Sequence, residues 1–180
     1  MSIIEEVLYN RIQKEEYRIG QERELDERIK RGYGLPFAHV PKYLITSERL
    51  DDAIENRCSS PFRGIQTRLI RAKHVDSAIK SGCGHPFSNV PDHLITPERL
   101  DAAIKNGCEG PFSCVPSQLI TVNRLDAAIK RGCEAPFLGV PEHFITAERL
   151  DVAIESRSAK PFWNVPIKFK LLKDKRVDTA

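Results

Sequence analysis

Carboxylates recur at one fixed offset along this chain, with Asp26, Asp51, Asp76, Asp101, Asp126 and Asp151 standing 25 residues apart. Thiols do the same at Cys58, Cys83, Cys108 and Cys133, and five histidines are scattered among them. Such residues could act as general acids and bases, as nucleophiles, or as metal ligands. Their spacing argues against all three. His93 and His143 share an offset two copies apart, about 20 Å if neighbouring helices lie about 8–10 Å from one another, too far for one ion. Cys83 and His85 are close in sequence but have no second ligand pair beside them. A disulfide needs Cα atoms within roughly 4.4–6.8 Å, less than a helix separation, so the thiol column is expected to be part-buried filler. No phosphate loop, nucleophile elbow or Cys/His motif is present. The residues therefore predict no catalytic group, no metal and no cofactor.

The elements that carry these columns are clearest in the copy Pro91–Val115. Thr96 can cap a helix, Pro97 suits its first position, and Glu98 places a carboxylate at the positive end of the dipole. Ile95 and Leu100 are spaced as a hydrophobic staple. Leu100, Ala103 and Ile104 share one face at i, i+3, i+4 spacing. Gly107 is the expected left-handed stop, with Cys108 closing over the last turn. Pro111-Phe112 can start a second short turn, which Val115-Pro116 ends, because a residue before Pro avoids the helical region. Ala53, Ala78, Ala103, Ala128 and Ala153 put a small residue where helices approach, and Arg28 breaks that column in the first copy.

The pattern Leu100-x-x-Ala103-Ile104-x-x-Gly107, then Pro111-Phe112 and Val115-Pro116-x-x-Leu119, resembles the leucine-rich repeat variants, in which a long helix alternates with a 3₁₀ helix. It is also similar to short helical repeats of unknown function in bacterial effectors and large viruses. The cysteines lack the clustered motif of a leucine-rich-variant iron–sulfur domain, so that cofactor is not expected. A leucine-rich horseshoe with a strand at Leu-Ile-Thr is the rival fold, disfavoured by the Pro upstream of most copies of that segment. The expected fold is all-α: a right-handed α-solenoid of six 25-residue repeats over 16–165, each one long helix plus one short or 3₁₀ helix. Residues 1–15, with Ile4, Val7, Leu8 and Ile12 on one side, are expected to form an N-terminal capping helix. Residues 166–180, with Phe169, Leu171 and Leu172 among basic side chains, are expected to form a basic C-terminal cap and tail.

On the helix, Asp101 and Arg99 flank Leu100 by about 100° on opposite sides. Stacked units would then join Asp76 to Arg99, Asp101 to Arg124 and Asp126 to Arg149, with the direction set by the stacking sense, a structural ladder and not a catalytic row; the alternative is a solvated carboxylate or an i,i+4 pair with Lys such as Lys105. His74 replaces the Arg in the third copy, so that rung is expected to weaken above an imidazole pKa of about 6.5.

The charge is nearly balanced, 28 basic against 25 acidic residues for a net +3, so no global field selects a polyanionic partner. The N-terminus lacks the basic start and apolar run of a secretory signal, and no segment approaches the ~20 apolar residues of a membrane span. The expectation is a cytoplasmic protein, or one exported without a classical signal peptide. Function is expected where the copies differ. One variable row runs Ala38, Arg63, Ser88, Ser113, Leu138, Trp163, beside His39, Gly64, Asn89, Cys114, Gly139, Asn164; another runs Tyr43, Arg68, His93, Gln118, His143, Lys168. Arg63, Arg68, His93, Gln118, Leu138, His143, Trp163 and Lys168 are the partner-binding candidates, and Trp163 either seals the last unit or anchors a partner. The expected role is a non-enzymatic protein-binding repeat scaffold, an effector or inhibitor of a cellular or host protein. The alternative is a nucleic-acid binder using Lys30, Arg31, Lys80, Lys105, Lys130 and Arg131 with the Lys-rich tail.

Overall fold

The computed structural model describes residues 3–166 except 157, 159 and 164. Residues 167–180 of the expected C-terminal cap and tail, Lys168 among them, and Asn164 lie outside the described residues. Among the described residues there are six α-helices and no strand: α1 (Ile3–Lys30), α2 (Ser47–Glu55), α3 (Ala72–Ser81), α4 (Pro97–Lys105), α5 (Val122–Arg131) and α6 (Ala147–Glu155). Between them stand 3₁₀ helices at Lys42–Leu44, Thr67–Leu69, Asp92–Leu94, Ser117–Leu119 and Glu142–Phe144. Each α-helix packs chiefly on the next in chain order.

Local chemistry explains both ends of the helices. The Thr46, Thr96, Thr121 and Thr146 hydroxyls accept the backbone N–H three residues on, at 3.2–3.3 Å, which satisfies a donor the helix itself cannot. At the other end, Gly107 N donates to the Ile104 carbonyl at 3.0 Å and Cys108 N to the Ala103 carbonyl at 3.1 Å. That pair is a Schellman stop, and it requires the left-handed φ of +71° found at Gly107. In α2 the same stop falls on Arg57, at φ +55°. An L side chain there costs about 1–2 kcal/mol, partly offset by the greater unfolded-state freedom of Gly. Arg57→Gly is therefore expected to raise unfolding free energy by about 1 kcal/mol, read as a higher denaturant midpoint at unchanged slope.

The core is a column of repeated side chains. Phe37, Phe62, Phe87, Phe112 and Phe137 are buried, together with the Leu, Ala, Ile and Cys positions of successive helices. Backbone bonds cross from each connecting segment to the next: Ser60 N to Gly34 O, His85 N to Ser59 O, Gly110 N to Gly84 O, Ala135 N to Glu109 O and Lys160 N to Glu134 O, at 2.7–3.1 Å. These bonds satisfy backbone groups that packing removes from water.

Three features differ from the reading of the sequence. The 3₁₀ helix is not at Pro111-Phe112 but at Ser117–Leu119, after Pro116. Pro111–Cys114 is only a turn, because Cys114 has φ +62° and cannot propagate a helix. Secondly, α1 runs through residue 15 without a break, and Ile4, Val7, Leu8 and Ile12 are exposed. That face covers no end of the stack among the described residues. In the first copy Arg28 and Tyr33, the two residues that depart from the Ala and Cys columns, contact each other, and Tyr33 stays exposed. The Arg28 guanidinium lies 5.3 Å from the Tyr33 ring centroid and donates to the Leu35 carbonyl at 2.9 Å. Thirdly, His39, Gly64, Asn89, Cys114 and Gly139 all have positive φ, between +62° and +89°. Their chemistry follows from the backbone: Gly and Asn tolerate that region best.

Candidate functional site

Four of the recurring carboxylates, Asp26, Asp76, Asp101 and Asp126, are occupied by arginines of the following helix. Arg99 Nε donates to Asp76 Oδ1 at 2.6 Å and Nη2 to Asp76 Oδ2 at 3.1 Å. Arg124 holds Asp101 at the same two distances, Arg149 Nε holds Asp126 Oδ1 at 2.7 Å, and Arg49 holds Asp26. The third guanidinium nitrogen ties each arginine to its own chain, at the carbonyls of Leu44, Leu94, Leu119 and Phe144. The fork geometry suits a carboxylate. Hydrogen bonds from Arg99 and Arg124 hold the Asp76 and Asp101 carboxyls below their ordinary pKa. Acids so stabilised as anions are poor proton donors near neutrality.

The rung between α2 and α3 is built differently. His74 is fully buried; its Nδ1 accepts the Arg71 N–H at 3.1 Å, and its Nε2 lies 3.4 Å from Asp51 Oδ1. Lys73 Nζ also reaches Asp51, at 3.3 Å. Burial lowers the His74 pKa, and it outweighs the opposing pull of Asp51. The Nδ1 contact agrees, since an acceptor nitrogen must be unprotonated. This reverses the expectation that the rung weakens above pH about 6.5. With the folded pKa depressed, the unfolded chain binds the proton more readily, so stability is fully present above the unfolded pKa of about 6.5 and is lost as pH falls below it. Unfolding free energy is expected to drop with acidification from pH about 6.5 more in the native chain than in His74→Arg. A gain in stability over that interval would show that Asp51 prevails over burial.

The four recurring thiols are inert by position. Burial pushes Cys83 and Cys108 up to about 12 and Cys58 and Cys133 up to about 11, so the nucleophilic thiolate is scarce near neutrality. Cys114 is exposed, and all five cysteines are free. Among the described residues no three His, Cys, Asp or Glu side chains gather as a metal-binding group, and no helix is long and apolar enough to cross a membrane. His85 Nε2 stands 3.8 Å from Glu109 Oε2, a contact between neighbouring connecting segments that spacing alone does not reveal.

The partner-binding candidates lie on the connecting segments. Arg68, His93, Gln118 and His143 are each the middle residue of a 3₁₀ helix and are exposed. Arg63 is exposed, whereas Leu138 is half-buried. Trp163 is 47% exposed, with Lys160 Nζ 4.5 Å from its ring centroid. Lys160 in turn pairs with Glu134. The neighbouring row at His39 to Gly139 belongs to the backbone turn and loses its standing as a free recognition row.

On the helix side, three shallow grooves follow one another. The groove between α4 and α5, about 560 Å³, is lined by Asp101, Ile104, Lys105, Asn123, Arg124, Ala127 and Arg131. Its neighbours, of about 290 and 370 Å³, use equivalent positions that include Lys80 and Lys130. These lysines and Arg131 are exposed near helix C-termini, where a cation also complements the dipole.

Comparison with protein-family models, with curated proteins and with solved structures finds no match to this chain.

Proposed function

We propose that the chain is a right-handed α-solenoid of six 25-residue units and serves as a non-enzymatic scaffold that binds another protein, as an effector or inhibitor of a cellular target. The observation that supports this best is the row Arg68, His93, Gln118 and His143, exposed on successive 3₁₀ helices and varied from copy to copy. Stacking constrains the core of a repeat protein and leaves such outward positions free to match a partner. The recurring acids and thiols, by contrast, are occupied by pairing or burial. A cytoplasmic location, or export without a classical signal, accompanies this reading.

The test is site-specific photo-crosslinking in cells, with the reactive side chain at residue 68, 93 or 143 and at residue 105 as a control on the helix face. One discrete adduct from the 3₁₀ row, weaker or absent from residue 105, is the expected result. Turnover of a substrate by the purified chain, with no adduct from the row, rejects it.

A second reading, nucleic-acid binding through the helix face, is favoured by Lys80, Lys105, Lys130 and Arg131, for which no ion pair is found among the described residues. Electrophoretic shifts across a salt series separate the two, because phosphate binding must weaken steeply with salt.

A further inference from the structure

Residues 4–20 of α1 are exposed at every position, and only Leu25 and Ile29 of this 28-residue helix enter the core. The other five helices have 9 or 10 residues. The first part of α1 is thus an arm about 25 Å long at 1.5 Å per residue. Isolated helices of roughly this length are marginal in water, and Gly20, with nothing within 4 Å of where a Cβ would stand, adds no rigidity where the arm meets the body. The arm nevertheless displays Ile4 at 72%, Leu8 at 52%, Ile12 at 56% and Ile19 at 52% exposure.

At about 100° per residue, Val7, Ile4, Leu8, Ile19 and Ile12 fall in that order across one arc of the arm. Arg11, Lys14 and Arg18 cluster around Val7 at one edge of the arc, and Glu5 and Glu16 line the other. Glu15, the acid inside the arc, is drawn toward the basic edge by Arg18, whose Nε donates to Glu15 Oε2 at 3.1 Å. An apolar arc with one basic and one acidic edge complements itself only when two copies lie parallel, because parallel pairing sets unlike edges together and antiparallel pairing sets like edges together.

We propose that this arm is a homodimerisation element, in which a second copy of the chain supplies the parallel partner helix. Leu8, Ile12 and Ile19 form the seam, and Arg11 of each copy faces Glu16 of the other.

Light scattering coupled to gel filtration, on the full chain and over a dilution series, tests the proposal. The expected mass is twice the 20.4 kDa of one chain, falling toward one chain on dilution, with helical circular dichroism falling in parallel. Leu8→Glu and Ile12→Glu are expected to halve the mass while leaving the body folded, since neither residue touches the core. Arg11→Glu should weaken pairing, and mixing it with Glu16→Arg should restore a mixed dimer. Ile154→Glu, at the exposed end of α6, should leave the mass doubled. A native chain of single mass at every concentration overturns the proposal, as does a dimer that survives both seam substitutions.

Discussion

Phe87→Ala is expected to lower the unfolding free energy by about 3–5 kcal/mol, the range for deleting a buried aromatic side chain. Phe87 is fully buried and follows Pro86 in a turn whose carbonyl at 87 accepts the Val90 N–H at 3.2 Å. The backbone is held by that turn and by the bond from His85 N to Ser59 O at 2.7 Å. The surroundings can therefore collapse only partly into the space the ring leaves, which adds a cavity cost to the lost transfer free energy. Phe162 occupies the same column at the end of the described stack and is only partly buried, so Phe162→Ala should cost clearly less. Urea unfolding of the two variants checks the ranking. Equal losses would mean that the end of the stack is packed as tightly as its middle.

Gly139→Ala is the second large effect, expected at about 3 kcal/mol from a left-handed backbone penalty plus overpacking. Gly139 has φ +85°, and a Cβ there would stand 2.3 Å from the Phe112 carbonyl oxygen and 3.0 Å from its carbon. Both atoms belong to the backbone of the preceding connecting segment, which cannot swing aside as a side chain could. Gly82 separates the two contributions: it has φ +73° but nothing within 4 Å of the added carbon. Gly82→Ala should cost only the backbone penalty, about 1–2 kcal/mol. Asn89 shows how the Gly139 column accommodates a larger residue, its Nδ2 donating to the Phe62 and Ile65 carbonyls at 3.2 and 2.6 Å. Gly139→Asn is therefore expected to be less damaging than Gly139→Ala, although Asn is larger. The reverse order would show that the contact is purely steric.

Much of the local architecture is legible in single residues. Thr96, Pro97 and Gly107 mark the ends of α4 because capping and left-handed stops act within a few residues of chain. Leu100, Ala103 and Ile104 mark its buried face because a 3.6-residue turn aligns them. The misplaced 3₁₀ helix shows the limit of such signals. Pro111 and Pro116 carry equal starting propensity, and only the left-handed Cys114 distinguishes turn from helix. The composition of its column, His, Gly, Asn, Cys and Gly, held that information; variety there reflects backbone geometry and not recognition.

His74 makes a similar point for the site. Its replacement of an arginine is plain in the sequence, but the direction of its pKa shift depends on a burial and an Arg71 contact that no spacing rule supplies. The exposed arm of α1 is likewise ambiguous as sequence. An amphipathic segment beside a stack can fold back as a lid or extend outward, and the two share one pattern of residues.

The sequence by itself determined where a helix such as α4 begins and stops, which stripe of it is apolar, and that acids and arginines lie on opposite flanks, because these properties arise from neighbours a few positions apart. Only the tertiary structure decided that each of Asp26, Asp76, Asp101 and Asp126 meets the Arg of the following helix, that backbone bonds join successive connecting segments, and that Gly139 must leave room for the Phe112 carbonyl. Those facts depend on where the next 25 residues come to rest, a distance across which no local preference acts.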